Sequence, residues 1–219
     1  MKVRFLLLFL GLSASTASAL AADGKTIATS GNGNGAHACS SCHGNLGEGR
    51  PLSGYPRLAG LPADYIVRQL ANFENGDRSN GLMHEIAKAL DENERKAVAD
   101  YDSHMKAPRV ETYTGTSAQQ MAQGRGLAKQ GDWNQGVPPC SQCHGLEGEG
   151  VGGTFPRLAA QSAGYLEKQL LDWKKGDRTG DPLNLMTGVA SKLDDTEIAA
   201  VAAYYASLSG DKPPVEATP

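Results

Sequence analysis

The 219-residue chain is written twice, and no other feature limits its fold as strongly. Cys39-Ser40-Ser41-Cys42-His43-Gly44 returns as Cys140-Ser141-Gln142-Cys143-His144-Gly145. Pro56-Arg57-Leu58-Ala59 returns as Pro156-Arg157-Leu158-Ala159, and Tyr65, Gln69 and Leu70 return as Tyr165, Gln169 and Leu170. Gly76-Asp77-Arg78 matches Gly176-Asp177-Arg178. Met83, Ala87 and Leu90 match Met186, Ala190 and Leu193, and Glu94, Val98 and Tyr101 match Glu197, Val201 and Tyr204. The spacing between copies drifts only in Gly-rich or polar stretches, where loops accept insertions. Such a repeat predicts two homologous domains of about 90 residues each.

Both halves read as helical. Tyr65, Ile66, Gln69, Leu70 and Phe73 share one helical face over 63–75, and 162–175 repeats the pattern with Trp173 in the place of Phe73. Asp91 with Glu94, and Asp194 with Glu197, are variants of the capping box, opening helices to about Met105 and Leu208. A helix over 117–130 leads into the second Cys pair. Before the first, Gly31-Asn32-Gly33-Asn34-Gly35 ends any helix at Ser30. No segment alternates convincingly with period two, so the predicted class is all-α. The expected organisation is a leader over 1–22, domains over 23–112 and 113–210, a linker within 106–116, and a flexible tail over 211–219.

The leader reading rests on a positive start (Lys2, Arg4), an apolar run from Phe5 to Leu12 and small residues at 17, 19 and 21. That is a secretory signal peptide cleaved near Ala22 or Asp23. The rival, a membrane anchor, needs a longer apolar run. Without Lys2 and Arg4 the formal charge moves from -3 to -5, and neither half carries a basic block, so nucleic acid is not an expected partner.

Four cysteines in an exported chain would ordinarily suggest two disulfides, or a zinc site formed by two converging pairs. The histidine directly after each pair argues for something else. Thiols three residues apart can add to the two vinyl groups of one porphyrin, and the next histidine then meets the iron. Cys39 and Cys42 with His43, and Cys140 and Cys143 with His144, therefore predict two covalently attached haem c groups. Met83 and Met186 are the candidate sixth ligands, since among the methionines after the leader only these two match across the repeat. Both are expected in loops before a short helical stretch, and a thioether ligand raises the potential. His37, His84 and His104 have no histidine counterpart in the second half. The carbonyls of Pro56 and Pro156 are placed to accept the proximal Nδ1–H, and Arg57 and Arg157 are candidates to pair with propionates.

With these motifs in view, the chain resembles dihaem cytochrome c4 over roughly residues 24–209. The resemblance implies two class-I-type cytochrome c domains about a pseudo-twofold axis with facing propionates. It also implies a periplasmic one-electron carrier, not an enzyme. Its donor would be a quinol-oxidising complex and its acceptor a terminal oxidase or reductase, with peripheral membrane association left open. The alternatives are a cytochrome subunit of a larger dehydrogenase, such as a flavocytochrome sulfide dehydrogenase, and a dihaem redox enzyme with an open iron. The departure from the family pattern is the Gly/Asn-rich segment before Cys39.

Overall fold

The computed structural model describes residues 22–110 and 115–216. The expected leader, apart from Ala22, and the junction expected between residues 112 and 113 lie outside the described residues. Within them the N-terminal half holds α1 (Gly24–Ser30), α2 (Cys39–His43), α3 (Ala63–Asn75), α4 (Gly81–Lys88) and α5 (Glu92–His104). The C-terminal half repeats the order as α6 (Ala118–Gln130), α7 (Ser141–His144), α8 (Ala163–Lys175), α9 (Leu185–Ala190) and α10 (Asp195–Ser207). No strand forms among the described residues; backbone pairing outside helices is limited to isolated bridges.

Each half closes on its own apolar cluster. Ile27, Ile66, Leu70, Phe73 and Val98 form one, and Leu127, Leu166, Ile198, Val201 and Tyr204 the other. The first and last helices of each half cross at a glycine. A Cβ on Gly24 would strike the Ala97 carbonyl, and one on Gly124 the Ala200 carbonyl, so only glycine allows this approach. The helices α5 and α10 begin where the sequence pattern places them. Asp91 accepts from Glu94 N at 2.8 Å while Glu94 accepts from Asp91 N at 2.9 Å. Asp194 and Glu197 repeat both bonds at 2.8 and 2.9 Å, satisfying amides that a helix start leaves without partners.

The Gly/Asn segment ends α1 at Ser30, with Gly31 at φ 84°. The loop that follows is pinned by one side chain. Asn32 Oδ1 accepts from the amides of Asn34 and Ala36, and its Nδ2 donates to Ala89 O at 2.7 Å and Glu94 Oε2 at 3.0 Å.

The halves meet about an approximate twofold axis. Ser79 N donates to Asp177 O at 2.9 Å, and Thr179 N to Asp77 O at 2.6 Å. Between these bonds Arg78 and Arg178 lie antiparallel. Gln161 adds a contact outside the symmetry: its amide group accepts from Arg57 N and donates to Arg57 O, whereas Leu61 holds the matching place.

Residues 211–216, expected to be part of a flexible tail, are tied down. Gly152 N donates to Val215 O at 2.8 Å, and Val215 N to Gly150 O at 3.0 Å. Arg157 donates to the carbonyls of Gly210 and Lys212. Proline-rich composition signals a lack of regular structure, not a lack of anchoring.

Candidate functional site

The two Cys-Cys-His motifs fold as single helical turns that bury their histidines, His43 and His144 each being 7% exposed. His43 Nδ1 lies 2.8 Å from Pro56 O, and His144 Nδ1 2.8 Å from Pro156 O. An acceptor-only carbonyl requires Nδ1 to carry the proton, which leaves the Nε2 lone pair for a metal. Burial lowers the pKa of both imidazoles, favouring the neutral ring that can ligate. Tyr55 and Phe155 pack edge-on against these rings at 5.9 and 6.1 Å. Burial also pushes the Cys39 thiol up to about 12 and the Cys140 thiol up to about 11.

In the C-terminal half the motif opens onto a largely apolar cavity of about 180 Å³. Cys140, Cys143, His144, Met186 and Trp173 all line it, and Leu61 and Tyr65 reach it from the N-terminal half. Three polar atoms around it are buried without a hydrogen-bond partner: Trp173 Nε1, Arg157 Nε and the Tyr205 hydroxyl. An apolar slot bearing two cysteines, a tautomer-fixed histidine, a thioether and unpartnered donors fits a porphyrin with carboxylate arms.

The sequence reading placed Met83 and Met186 in loops; the structure corrects this. Met83 is the third residue of α4 and Met186 the second of α9. The cause is two acceptor side chains that the pattern did not single out, Asn80 at the N-cap of α4 and Asp181 four residues before α9. Asn80 Oδ1 accepts from Met83 N at 2.9 Å, and Asp181 Oδ2 from Met186 N at 2.7 Å. Met83 packs half-buried against the N-terminal cluster. Of the rival histidines, His84 has Nδ1 at 2.9 Å from Phe73 O, while His37 and His104 are exposed.

The proposed propionate role of Arg57 is also corrected. Its Nε, Nη1 and Nη2 donate to the carbonyls of Ala59, Pro108 and Ala107, so it clamps the segment after α5. Arg157 clamps the segment after α10 in the same way, although it also borders the cavity.

The residues that sequence reasoning did not assign lie on the twofold axis. Arg78 donates to Gln69 Oε1 at 3.0 Å in its own half, and to Gln169 Oε1 at 2.6 Å and Tyr165 OH at 2.7 Å in the other. Arg178 mirrors it, donating to Gln169 at 3.0 Å, Gln69 at 2.7 Å and Tyr65 at 3.1 Å. The guanidiniums stack on Phe73 at 4.4 Å and Trp173 at 3.9 Å. Both arginines are buried, both stay charged, and all these acceptors are neutral. Two buried cations with only neutral acceptors suit an anionic group such as a propionate. The signal was present in the repeated Tyr, Gln and Gly-Asp-Arg positions; what the sequence lacked was their pairing across the axis.

The family model for cytochrome c matches residues 137–209, and that for the cbb3-type cytochrome c oxidase subunit III matches 26–101. A protein named thiosulfate dehydrogenase electron acceptor, from Thiomonas intermedia, is 45% identical over 78% of this chain and 79% of its own length. The solved thiosulfate dehydrogenase of Marichromatium purpuratum superposes with a TM-score of 0.78 at 38% identity, covering 84% of this chain. The chain spans only 39% of that longer polypeptide. Reduced cytochrome c4 from Pseudomonas stutzeri superposes with a TM-score of 0.69 at 31% identity, covering 78% of this chain and 93% of that one. With two matching domains, two haem-attachment motifs and relatives aligned over most of both lengths, the chain belongs to the dihaem cytochrome c4 family of electron carriers.

Proposed function

We propose that the protein moves single electrons between redox proteins in the periplasm, with His43 and Met83 ligating one haem iron and His144 and Met186 the other. The observation that carries this is Met186 in the wall of the cavity that also holds Cys140, Cys143 and His144. Bound haem supplies a one-electron Fe(III)/Fe(II) couple. The chain's residues do the rest. The Pro56 and Pro156 carbonyls hold the Nδ1 protons, so each Nε2 presents its lone pair. The apolar walls exclude water, and the methionine thioethers favour the reduced state. His43 with Met83, and His144 with Met186, would hold the two irons through side chains on both sides, which would leave no position for a substrate and suits a carrier without bond chemistry of its own. No helix among the described residues is long and apolar enough to cross a membrane, and the leader motif supports export.

The donor in this reading is a thiosulfate-oxidising enzyme, supported by relatives 45% and 44% identical that are named as its electron acceptors. A terminal oxidase or reductase is the acceptor. The test mixes oxidised holoprotein with thiosulfate and catalytic amounts of a purified thiosulfate dehydrogenase, and follows the reduced α-band. Reduction of both haems in the presence of thiosulfate is the expected result. If only a quinol-oxidising complex with quinol reduces the protein, the donor assignment fails while the carrier reading stands.

A further inference from the structure

At two places the second copy departs from the first, and both segments border the C-terminal cavity. One is the loop that leads into the Cys pair. Gly31 and Gly131 end their helices, and Asn32 and Asp132 each accept from the amide two residues on, that of Asn34 or Asn134. Between them the first copy has Gly33 and the second has Trp133, which is 68% exposed. The other precedes α9. Met83 stands five residues after Arg78, but Met186 stands eight after Arg178. The longer link holds Leu183 at φ 59°, a left-handed conformation that crowds a side chain against its own backbone, and leaves it 90% exposed. Pro138 and Pro139 from the first segment and Leu185 from the second line the same cavity. Lys192 Nζ donates to Gly136 O at 2.8 Å, tying the loop to the turn after α9.

We propose that Trp133 and Leu183 anchor a docking surface on the C-terminal half that receives an apolar, uncharged face of the electron-donating enzyme; the inference rests on the donor reading above. Large apolar side chains left in water beside a site mark contact surfaces, and tryptophan is prominent among the residues that carry binding energy. The loop is fixed in advance. Asp132 and Val137 exchange backbone bonds at 2.8 Å, and Gly136 N donates to Trp133 O at 3.2 Å, so docking has little backbone left to order. Gly33 gives the N-terminal half no such anchor.

Charge identifies the kind of partner. In a chain with 21% charged residues, positions 131–139 and 182–190 carry a single one, Asp132. Its Oδ1 accepts from Asn134 N at 3.0 Å and its Oδ2 from Gln135 Nε2 at 2.9 Å, so this carboxylate is engaged by its own loop. A partner face ringed with lysines or carboxylates would lose hydration here without gaining a counter-charge. An apolar face gains from the same burial.

The test measures binding of the holoprotein to an immobilised, purified thiosulfate dehydrogenase by surface plasmon resonance. In parallel it follows thiosulfate-driven reduction at several carrier concentrations. Trp133→Gly, the change to the first copy's residue, should weaken binding about tenfold or more and raise KM with kcat little changed. Trp133→Phe should keep most of the affinity, and Leu183→Gly, which also relieves the backbone, should cost a few-fold. Raising the ionic strength from about 0.02 M to about 0.5 M should change binding less than about threefold. Leu52→Ser, at a leucine 96% exposed in the N-terminal half, should leave binding unchanged. Wild-type binding by Trp133→Gly, an equal loss in Leu52→Ser, or a loss of about tenfold with salt overturns the proposal. A Trp133→Gly protein that binds the enzyme normally but is released from phosphatidylglycerol vesicles overturns it too, and gives the surface to a lipid. If the enzyme neither binds nor reduces the wild type, the donor reading fails and the docking proposal with it; if it reduces wild type and Trp133→Gly alike, only the docking proposal fails. Haem content and a thermal melt of each variant ensure that folded proteins are compared. If Trp133→Gly does not fold, Trp133→Ser and Leu183→Gly decide in its place.

Discussion

The two halves reach the same motif by different routes. In the C-terminal half, thirteen-residue α6 leads in, followed by a tight turn in which Asp132 and Val137 exchange backbone bonds at 2.8 Å. In the N-terminal half α1 has only seven residues, and Asn32 organises the glycine-rich loop after it. Yet His43 and His144 end with the same 2.8 Å contact to a proline carbonyl. The approach to a haem site is thus replaceable, provided that the motif turn, the proline loop and the helix crossing at Gly24 or Gly124 are kept. Differences that matter for redox chemistry should come from the few side chains touching the motif.

The harshest way to break this equivalence is at the proposed axial ligands. Met83→Ala and Met186→Ala should each remove about half of the weak ferric iron–thioether absorption band. Each should also lower one potential by on the order of 0.1–0.3 V, a fraction of the range that axial ligands span. An intact band and potential in Met83→Ala would pass the role to another residue of the N-terminal half.

A smaller effect separates the halves. Burial pushes the Asp102 carboxyl up to about 6, above its ordinary value of 3.8, so the fold favours the protonated acid. The resulting penalty is absent below about pH 4 and grows as pH rises, levelling off above about 6. Asp102→Asn should therefore stabilise the protein at neutral pH by up to about 3 kcal/mol, with no gain in acid. Denaturant titrations at two pH values check this. A gain of the same size at both would mean that ionisation is not its source.

The smallest effect should be shared by both halves. Each of Arg78 and Arg178 contacts acceptors on both sides of the axis. Removing one cation by Arg78→Gln or Arg178→Gln should lower both potentials, by roughly 1 kcal/mol or about 40 mV each at an effective dielectric constant of about 20. Movement of only one potential would mean that the halves are electrostatically separate.

Much of this was legible in the sequence because it is local. Capping residues at Asp91 and Asp194, and the glycines after Ser30, set helix ends through near neighbours alone. The motif spacing likewise fixes which thiols and histidine share a turn. What escaped depends on partners far along the chain. Arg57 is clamped to carbonyls about 50 residues away, and Gln161 bonds a backbone 104 positions earlier. A repeat marks such residues as paired copies without saying what they touch. The helical placement of Met83 and Met186 was missed for a nearer reason: Asn80 and Asp181 stand at different distances before their methionines, so the two acceptors form no repeated motif.

The reciprocal contact between the halves has a consequence for how such a chain can arise. In a contact about a twofold axis each side presents the same patch, so it can be built from two copies of one domain. Tyr, Gln and Arg stand at the same places in both halves, and each set completes the other. The pairing therefore has the form of a homodimer drawn into a single polypeptide. Tethering replaces a bimolecular encounter with an intramolecular one at an effective concentration of order millimolar, so the pair persists however dilute the protein becomes. Once joined, the copies were free to diverge, as Gln161 standing where the other copy has Leu61 records.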